Sequence, residues 1–471
     1  LIFGGEKMAV FSIIKLSELE GAKRMDAEYY KPEYLEVKQK LYQTRFVYFK
    51  SLVKEIIHPK EIRREYEDEK RDYLFLLAQN VRPLMLDLSE KKYISEEKAK
   101  LMPKNLLEEG DILFVRTGAV GVCTAYTGKP PKVVASAHIL IAKPNFEISP
   151  YYLTVFFNTF YGRSIIIRGT YGALQPEIAP NYIKSIPVPI FSKNLITKVE
   201  KLFLESQNFL EQSCILYSQA ENLLLEELGL KDFKPKYQKT YTAKLSDAFT
   251  AHRIDAEYFQ PAYEEVIEKI RNYPNGFSKL LKHVENIKPD FDPKKYPDNI
   301  FLYVELADID SSIGIVHSVN KIKGEEAPSR ARRILKKGDV IVSSVEGSLE
   351  KVALIDEEHD GCLASTGFFQ FRPLDILPEV LLVLSKTIVL QSQLKKKCSG
   401  TILTAVPKES LRDIIIPLIP LLTQQKIASL VQQSHEARKK AKELLEIAKR
   451  AVEIAIEKNE DSALEFLSQF S

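Results

Sequence analysis

The residues able to do chemistry unaided are scattered in this chain. Its seven histidines (His58, His138, His252, His283, His317, His359 and His435) are dispersed, and none is expected to pair with a cysteine or an aspartate as a metal ligand. The sequence holds no HExxH, no GxxxxGK[ST] phosphate loop and no glycine-rich cofactor loop after a strand. It also lacks the Asn/Asp-Pro-Pro-aromatic tetrapeptide that amino-methyltransferases use. The best-placed carboxylates are Asp26 and Glu28, and again Asp255 and Glu257. Each pair sits among aromatics in a segment leading into a helix, where capping, or pairing with Arg24 or Arg253, accounts for it. The chain alone is expected to catalyse nothing.

Those carboxylates come in two copies because the whole chain does. Lys15–Tyr34 reads KLSELEGAKRMDAEYYKPEY and Lys244–Tyr263 reads KLSDAFTAHRIDAEYFQPAY, with eleven of twenty positions identical at an offset of 229. Gly110-Asp111-Ile112-Leu113 returns as Gly338-Asp339-Val340-Ile341, Ala135-Ser136 as Ala364-Ser365, and Pro144 as Pro373. Ile186-Pro187-Val188-Pro189 returns as Ile414-Ile415-Ile416-Pro417. A register held to within one residue means two copies of one fold. Two equivalent halves suit a partner that is itself two-fold in shape, of which duplex DNA is the commonest.

Composition permits this without announcing it. Hydrophobic content of 45% and charged content of 28% allow both halves a real core, and 471 residues suggest about three domains. A net charge of +3 is too small to point to nucleic acid by itself. Four cysteines without a CxxC pair argue for a reducing compartment. Neither a signal-peptide layout nor a run near the roughly 18 apolar residues of a membrane helix is present, so the expected location is the cytoplasm.

Each half reads as an amphipathic lead-in, a mixed segment of short strands, then one long helix. Phe75-Leu76-Leu77, Ile112–Val115, Val133-Val134 and His138–Ile141 are apolar runs bounded by turn residues, and Tyr151–Tyr161 reads as a buried helix. The second half repeats this with Phe301–Val304, Val340–Val342, Phe368–Phe371 and a helical Pro378–Leu394. Beyond the proline-bounded stretches the period changes. Apolar or small residues fall at Val199, Leu202/Phe203, Ser206, Ser213, Leu216, Ala220 and Leu223/Leu224, and in the second copy at Ile427, Leu430/Val431, Ser434, Ala441, Leu444/Leu445 and Ala448. This is a coiled-coil seam. Gly229 is the expected C-cap of the first helix. Residues 421–471 carry eight Lys/Arg and eight Asp/Glu, so the second is a packing helix rather than a basic arm. Two matched seams are expected to pair antiparallel. About 36 residues at ~1.5 Å each span ~54 Å, which would set two readers about one duplex turn apart or slightly more.

With its RxDAEYxxPxY lead-ins, its GDILFVRTGAVG and GDVIVSSVEGSL segments and its apolar-Pro endings before long helices, the chain resembles the DNA-specificity (S) subunits of type I restriction–modification systems. The resemblance covers nearly the whole length, and the duplicated arrangement is what makes it specific. It implies an α+β fold: two similar mixed α/β target-recognition domains separated by two long antiparallel coiled-coil helices, with an internal pseudo-two-fold. The implied boundaries are 11–192 for the first recognition domain, 193–232 for a central helix, 240–420 for the second domain and 421–465 for a C-terminal helix. The implied partners are double-stranded DNA, two methyltransferase subunits docked on the helices, and motor–nuclease subunits. S-adenosylmethionine, ATP and Mg²⁺ would belong to those partners, and no cofactor to this chain.

The resemblance turns attention to loops that differ between the halves. Lys60, Arg63 and Arg64 stand against Lys288, Lys294 and Lys295. Gln79, Asn80 and Arg82 stand against Ala307, Asp308 and Asp310; amides pair with adenine and arginine with guanine, which favours the first set. After the GDI strands come Arg116 and Thr117, against Ser343 and Ser344. The last group is Arg168, Thr170, Tyr171 and Gln175, against Lys395, Lys396, Lys397, Ser399, Thr401 and Thr404, where basic and small polar residues suit a phosphate. The competing readings are an enzyme, nuclease or methyltransferase, of unfamiliar layout and a coiled-coil scaffold without DNA affinity.

Overall fold

The computed structural model describes residues 11–17, 19, 24–61, 66, 71–172, 174–400 and 404–470. The chain divides into two compact units: residues up to Phe209 together with those from Lys439 onward, and Leu210–Arg438. Each long helix is thus shared between the units.

In the first unit, strands Val53–Ile57, Ile139–Pro144, Ile112–Val115 and Cys123–Ala125 form an antiparallel sheet in that order. Its central strand is apolar without alternation because both of its faces are covered. Ile112 and Phe114 pack with Tyr152, Phe156 and Phe157 of helix Pro150–Asn158, whereas Leu113 and Val115 pack with Leu74, Leu76 and Val133. Those last residues belong to a second, three-stranded sheet in which Tyr73–Leu76 pairs in parallel with Val133–Ala135. The second unit repeats the plan. Val284–Asn286, Phe368–Pro373, Val340–Ser343 and Val352–Leu354 make the antiparallel sheet, and Tyr303 pairs in parallel with Leu363 in its neighbour. Val340 and Val342 face one core and Ile341 the other.

The GDI segment is the pivot of each sheet. Gly110 and Gly338 take φ of +88° and +86°, where a side chain is strained. The next carboxylate turns inward. Asp111, 1% exposed, accepts from the Glu108 amide at 2.7 Å and pairs with Lys143 at 2.8 Å. Asp339, also 1% exposed, accepts from the Lys336 amide at 2.9 Å and from Gln370 at 2.7 Å, and binds Arg372 through both oxygens at 2.9 and 3.0 Å.

Three helices end elsewhere than the periodicity predicts. The expected Tyr151–Tyr161 helix is two helices, Pro150–Asn158 and Phe160–Arg168, broken where extended Thr159 caps the second by accepting from the Gly162 amide at 3.1 Å. Gly162 is required there, since a Cβ would lie 2.1 Å from the Phe156 oxygen. The expected Pro378–Leu394 helix breaks likewise at extended Thr387, into Pro378–Lys386 and Ile388–Lys397. The last long helix is Leu421–Glu457, not a rod to residue 465, because Asn459 caps a separate helix Glu460–Ser468. The central helix, Lys193–Glu227, ends as its sequence suggests: Gly229 has φ of +61° and the Leu230 amide donates to Leu225 oxygen at 2.7 Å.

The long helices pair antiparallel within each unit. In the first, the Ser192 amide donates to Glu460 at 3.0 Å and Lys440 lies over the Phe209 ring. In the second, Ser213 and Ser434 hydroxyls meet at 3.2 Å, the latter also donating to Ser213 oxygen at 2.7 Å, and Thr423 meets Glu227 at 3.3 Å. Val199, Ile427 and Ala448 are buried. Leu202, Leu216, Leu223, Leu430 and Leu444 are only half-buried; the seam is carried one residue on, by Phe203, Tyr217, Leu224, Val431 and Leu445. Adjacent apolar residues leave the heptad phase open by one step, and the facing helix chooses it.

The C-terminal helix also grips the second unit's loop 310–317. Arg438 reaches Asp310 at 3.5 Å and Ser312 at 3.2 Å, and His435 Nε2 donates to Ile313 oxygen at 2.9 Å. Burial holds His435 below its ordinary 6.5, with Arg438 acting the same way and Asp356 and Glu379 opposing. As pH falls the unfolded chain takes up this proton first, so the stability is complete above pH 6.5 and is lost as pH falls through the lower folded value. The thermal unfolding midpoint should therefore fall below about pH 6.5. His435→Gln, which still donates to Ile313, should decline less; equal slopes would refute this. Among the described residues, no helix is long and apolar enough to cross a membrane.

Candidate nucleic-acid interface

Two loops that are far apart in sequence meet at the end of each central strand. In the first unit Arg116 follows strand Ile112–Val115, its amide donating to His138 oxygen at 2.8 Å and its carbonyl accepting from Ile178 at 3.2 Å. Glu177 bridges to both Thr117 and Tyr171. The side chains close the same circle. Arg116 Nη2 donates to Glu177 at 2.7 Å and Nη1 to His58 Nε2 at 2.9 Å, while Thr117 meets His138 Nδ1 at 2.8 Å. His58 must be the acceptor here, so its ring is neutral, and burial followed by the Arg116 charge lowers its pKa. Gly118, at φ +82°, has open space where a Cβ would stand.

The second unit builds the same frame from other side chains. Ser344 donates its amide to Gly367 oxygen at 2.8 Å and accepts from the Val406 amide at 2.8 Å, and Ala405 bridges to Val345 and Ser399. Thus Arg116, Tyr171 and Glu177 stand where Ser344, Ser399 and Ala405 stand. Ser343 lies beneath, fully buried, with its hydroxyl on Ser348 at 3.1 Å. A half-buried guanidinium held by a carboxylate and a ring nitrogen beside an exposed tyrosine can meet a guanine edge or a phosphate. The serine and alanine version presents hydroxyls only.

Residues 295–448 match the family described as type I restriction modification DNA specificity domain. Over 402 residues the chain is 21% identical to a protein of Methanocaldococcus jannaschii named for the specificity subunit of type I restriction enzyme MjaX, spanning 82% of this chain and 86% of that one. The chain is similar to the type I restriction–modification specificity subunits. The HindI specificity subunit of Haemophilus influenzae is 24% identical over 151 residues, 31% of this chain and 32% of that one. The crystal structure of the S subunit from M. genitalium aligns at 13% identity with a TM-score of 0.40, covering 90% of this chain and 96% of that one. That likeness is to a DNA specificity domain and to specificity subunits, and favours a DNA-recognition role over the enzyme and DNA-free readings.

The other residues singled out in the sequence have different surroundings. Asn80 is buried and closes a turn: its oxygen accepts from Leu77 at 2.9 Å and its nitrogen donates to Asp87 and Glu90 oxygens, both at 2.9 Å. Both amide hydrogens are engaged, so none remains for adenine; Asp308 plays the same part in the second unit, accepting from the Glu305 amide at 2.8 Å. Gln79 is exposed beside Glu90, and Arg82 lies 3.6 Å from Asp87. Arg168 is 5% exposed, stacked at 3.9 Å on Tyr29 with its Nε on Tyr29 oxygen, and is not available to a phosphate. Its counterparts are tied to carboxylates: Lys396 to Glu264 at 2.7 Å, Lys397 to Asp413 at 2.9 Å and Lys395 to Glu257 at 3.9 Å.

Lys60, Lys288, Lys294 and Lys295 are exposed, Lys60 with its backbone held by Asn105 through two 3.0 Å bonds. Gln175 is exposed, Thr170 donates its hydroxyl to Ile167 oxygen at 2.8 Å and Thr404 to Gly400 oxygen at 3.3 Å. Arg63, Arg64 and Thr401 lie outside the described residues. His58, His138 and Glu177 went unnoticed in the sequence as members of a cluster, since they are brought to Arg116 from 58, 22 and 61 positions away by strand pairing alone. Among the described residues no group of His, Cys, Asp or Glu is set to hold a metal ion.

Proposed function

We propose that this chain is a specificity subunit and reads a split DNA target, one half per unit, across a spacer of unspecified sequence. The recognition domains are 11–192 and 240–420, and the paired helices set the spacer and dock two methyltransferase subunits, to which motor–nuclease subunits add. S-adenosylmethionine, ATP and Mg²⁺ act in those subunits. The reading is carried by one observation: two loop clusters share a backbone frame and differ in nearly every side chain, as two readers of different half-sites would. In the first, Arg116, Thr117, Tyr171 and Gln175 make the contacts, with Lys60 on phosphate; in the second, Ser344, Ser399, Thr404, Lys288, Lys294 and Lys295.

Arg116→Ala is expected to cost ~1–3 kcal/mol of discrimination at the first half-site and nothing at the second. Binding measured on duplexes altered in one half-site at a time checks this. Equal losses at both halves would count against one reader per unit. Mapping methylated bases in the host genome supplies the target.

A further inference from the structure

The lead-in segments carry the strongest sequence identity between the halves, and DNA reading leaves it unexplained. In the first unit Arg24 clasps Asp26 through Nε and Nη2 at 2.7 and 2.8 Å, and its guanidinium stacks on Tyr29 at 4.6 Å. The Asp26 carboxylate also accepts from the Tyr29 amide at 3.2 Å, so the arginine cannot swing freely. Its remaining hydrogens reach across 145 residues, Nη1 to Gly169 oxygen at 3.3 Å and Nη2 to Thr170 oxygen at 2.8 Å. The second unit repeats each contact. Arg253 clasps Asp255 at 2.7 and 2.9 Å, stacks on Tyr258 at 4.5 Å, and donates to Lys397 and Cys398 oxygens at 3.4 and 2.8 Å.

In both units the two carbonyls stand at the end of a helix, where backbone acceptors lack partners and a cation is favoured. They are also the root of the loop that joins the reading cluster. From Thr170 the chain passes directly to Tyr171, which pairs with Glu177, which holds Arg116. From Cys398 it passes to Ser399, which pairs with Ala405 beside Val345. The clamps match while the loops do not: between 168–178 and 396–406 the one identity is Gly172 with Gly400, both at positive φ, +96° and +127°. An arginine that grips carbonyl oxygens is indifferent to the side chains of what it grips.

We infer that Arg24 and Arg253 are positioning residues for sequence readout, each clamping the root of its own unit's recognition loop by main-chain atoms, so that the loop's side chains can change while its place is kept. This rests on the proposed reading of one half-site per unit. A lysine keeps the charge but is a point donor and cannot clasp a carboxylate and two carbonyls together.

The test uses the full chain with Arg24→Lys and Arg253→Lys, and Met25→Ala at a 90% exposed neighbouring site as control. Two quantities are read: amide exchange across 169–178 and 397–406, and discrimination on duplexes altered in one half-site. Arg24→Lys should speed exchange in 169–178 only and reduce first-half discrimination roughly tenfold, the size of one base contact, leaving the second half intact. Arg253→Lys should do the reverse. Unchanged exchange in the clamped loop overturns the clamp whatever the DNA result. Faster exchange with discrimination intact overturns the positioning role. If the wild-type chain shows no half-site discrimination while exchange responds as stated, the reading of the loops fails and the clamp stands.

Discussion

Removing one heptad from each long helix, between Phe203 and Ser213 and again between Ser434 and Leu445, is expected to retarget the subunit rather than unfold it. The stretches face one another in the antiparallel pairing, as the contacts of Phe209 with Lys440 and Ser213 with Ser434 show within their units. A whole heptad keeps the seam in phase, so Val199, Tyr217, Val431 and Val452 keep their facing positions. Seven residues at ~1.5 Å are about 10 Å of helix, or about three base pairs at ~3.4 Å. If the helices set the spacer, the permitted gap shortens by about three base pairs while both half-sites stay the same. Affinity for the original target should then fall toward its non-specific level, a loss of about 10³-fold or more. Methylated-base mapping in cells carrying the shortened subunit reads this directly. An unchanged gap would end the ruler proposal and leave half-site reading untouched.

Asp339→Ala should produce the largest loss of stability among single substitutions considered. Asp339 is 1% exposed and organises the Lys336 amide, Gln370 and the Nε–Nη2 edge of Arg372. Alanine leaves the Lys336 amide without its acceptor, Gln370 with only the Ile334 oxygen at 2.8 Å and Arg372 without its counter-charge. Removing one member of a buried pair costs ~3–5 kcal/mol, and about 3 kcal/mol is expected because Arg372 keeps a third of its side chain in water. Amide exchange in Val340–Ser343 and Phe368–Pro373 is the suitable measure, because two units need not unfold in one step. Asp339→Asn, which can still accept from Lys336, should lose less. Protection in those strands falling equally for both variants would place the stabilisation elsewhere.

Much of the architecture is written in local patterns. The repeat, the GDI turns, the strand at Ile112–Val115, the Gly229 cap and the existence of two long pairing helices all follow from residue type and period, which neighbouring residues enforce without help. Where neighbours offered two equal choices, packing chose. Leu202 and Phe203 are both apolar, and only the facing helix puts Phe203 in the seam. Thr159 sits inside a run that periodicity reads as one helix, and the close approach at Gly162 makes it a break.

The site divides in the same way. Arg116 stands out in the sequence as a basic residue directly after a buried strand and beside glycine, and its place in the cluster is the ground on which we propose that it meets DNA. Arg168 and Asn80 look equally suited to DNA, yet one stacks on Tyr29 and the other closes its own turn. A side chain's chemistry is local, but its freedom to use that chemistry depends on groups arriving from elsewhere in the chain. The sequence by itself therefore determined that there are two like units and two helices; the tertiary structure alone decided which polar groups those units leave unengaged, because strand pairing, not proximity in the chain, brings His58, Glu177 and Arg116 together.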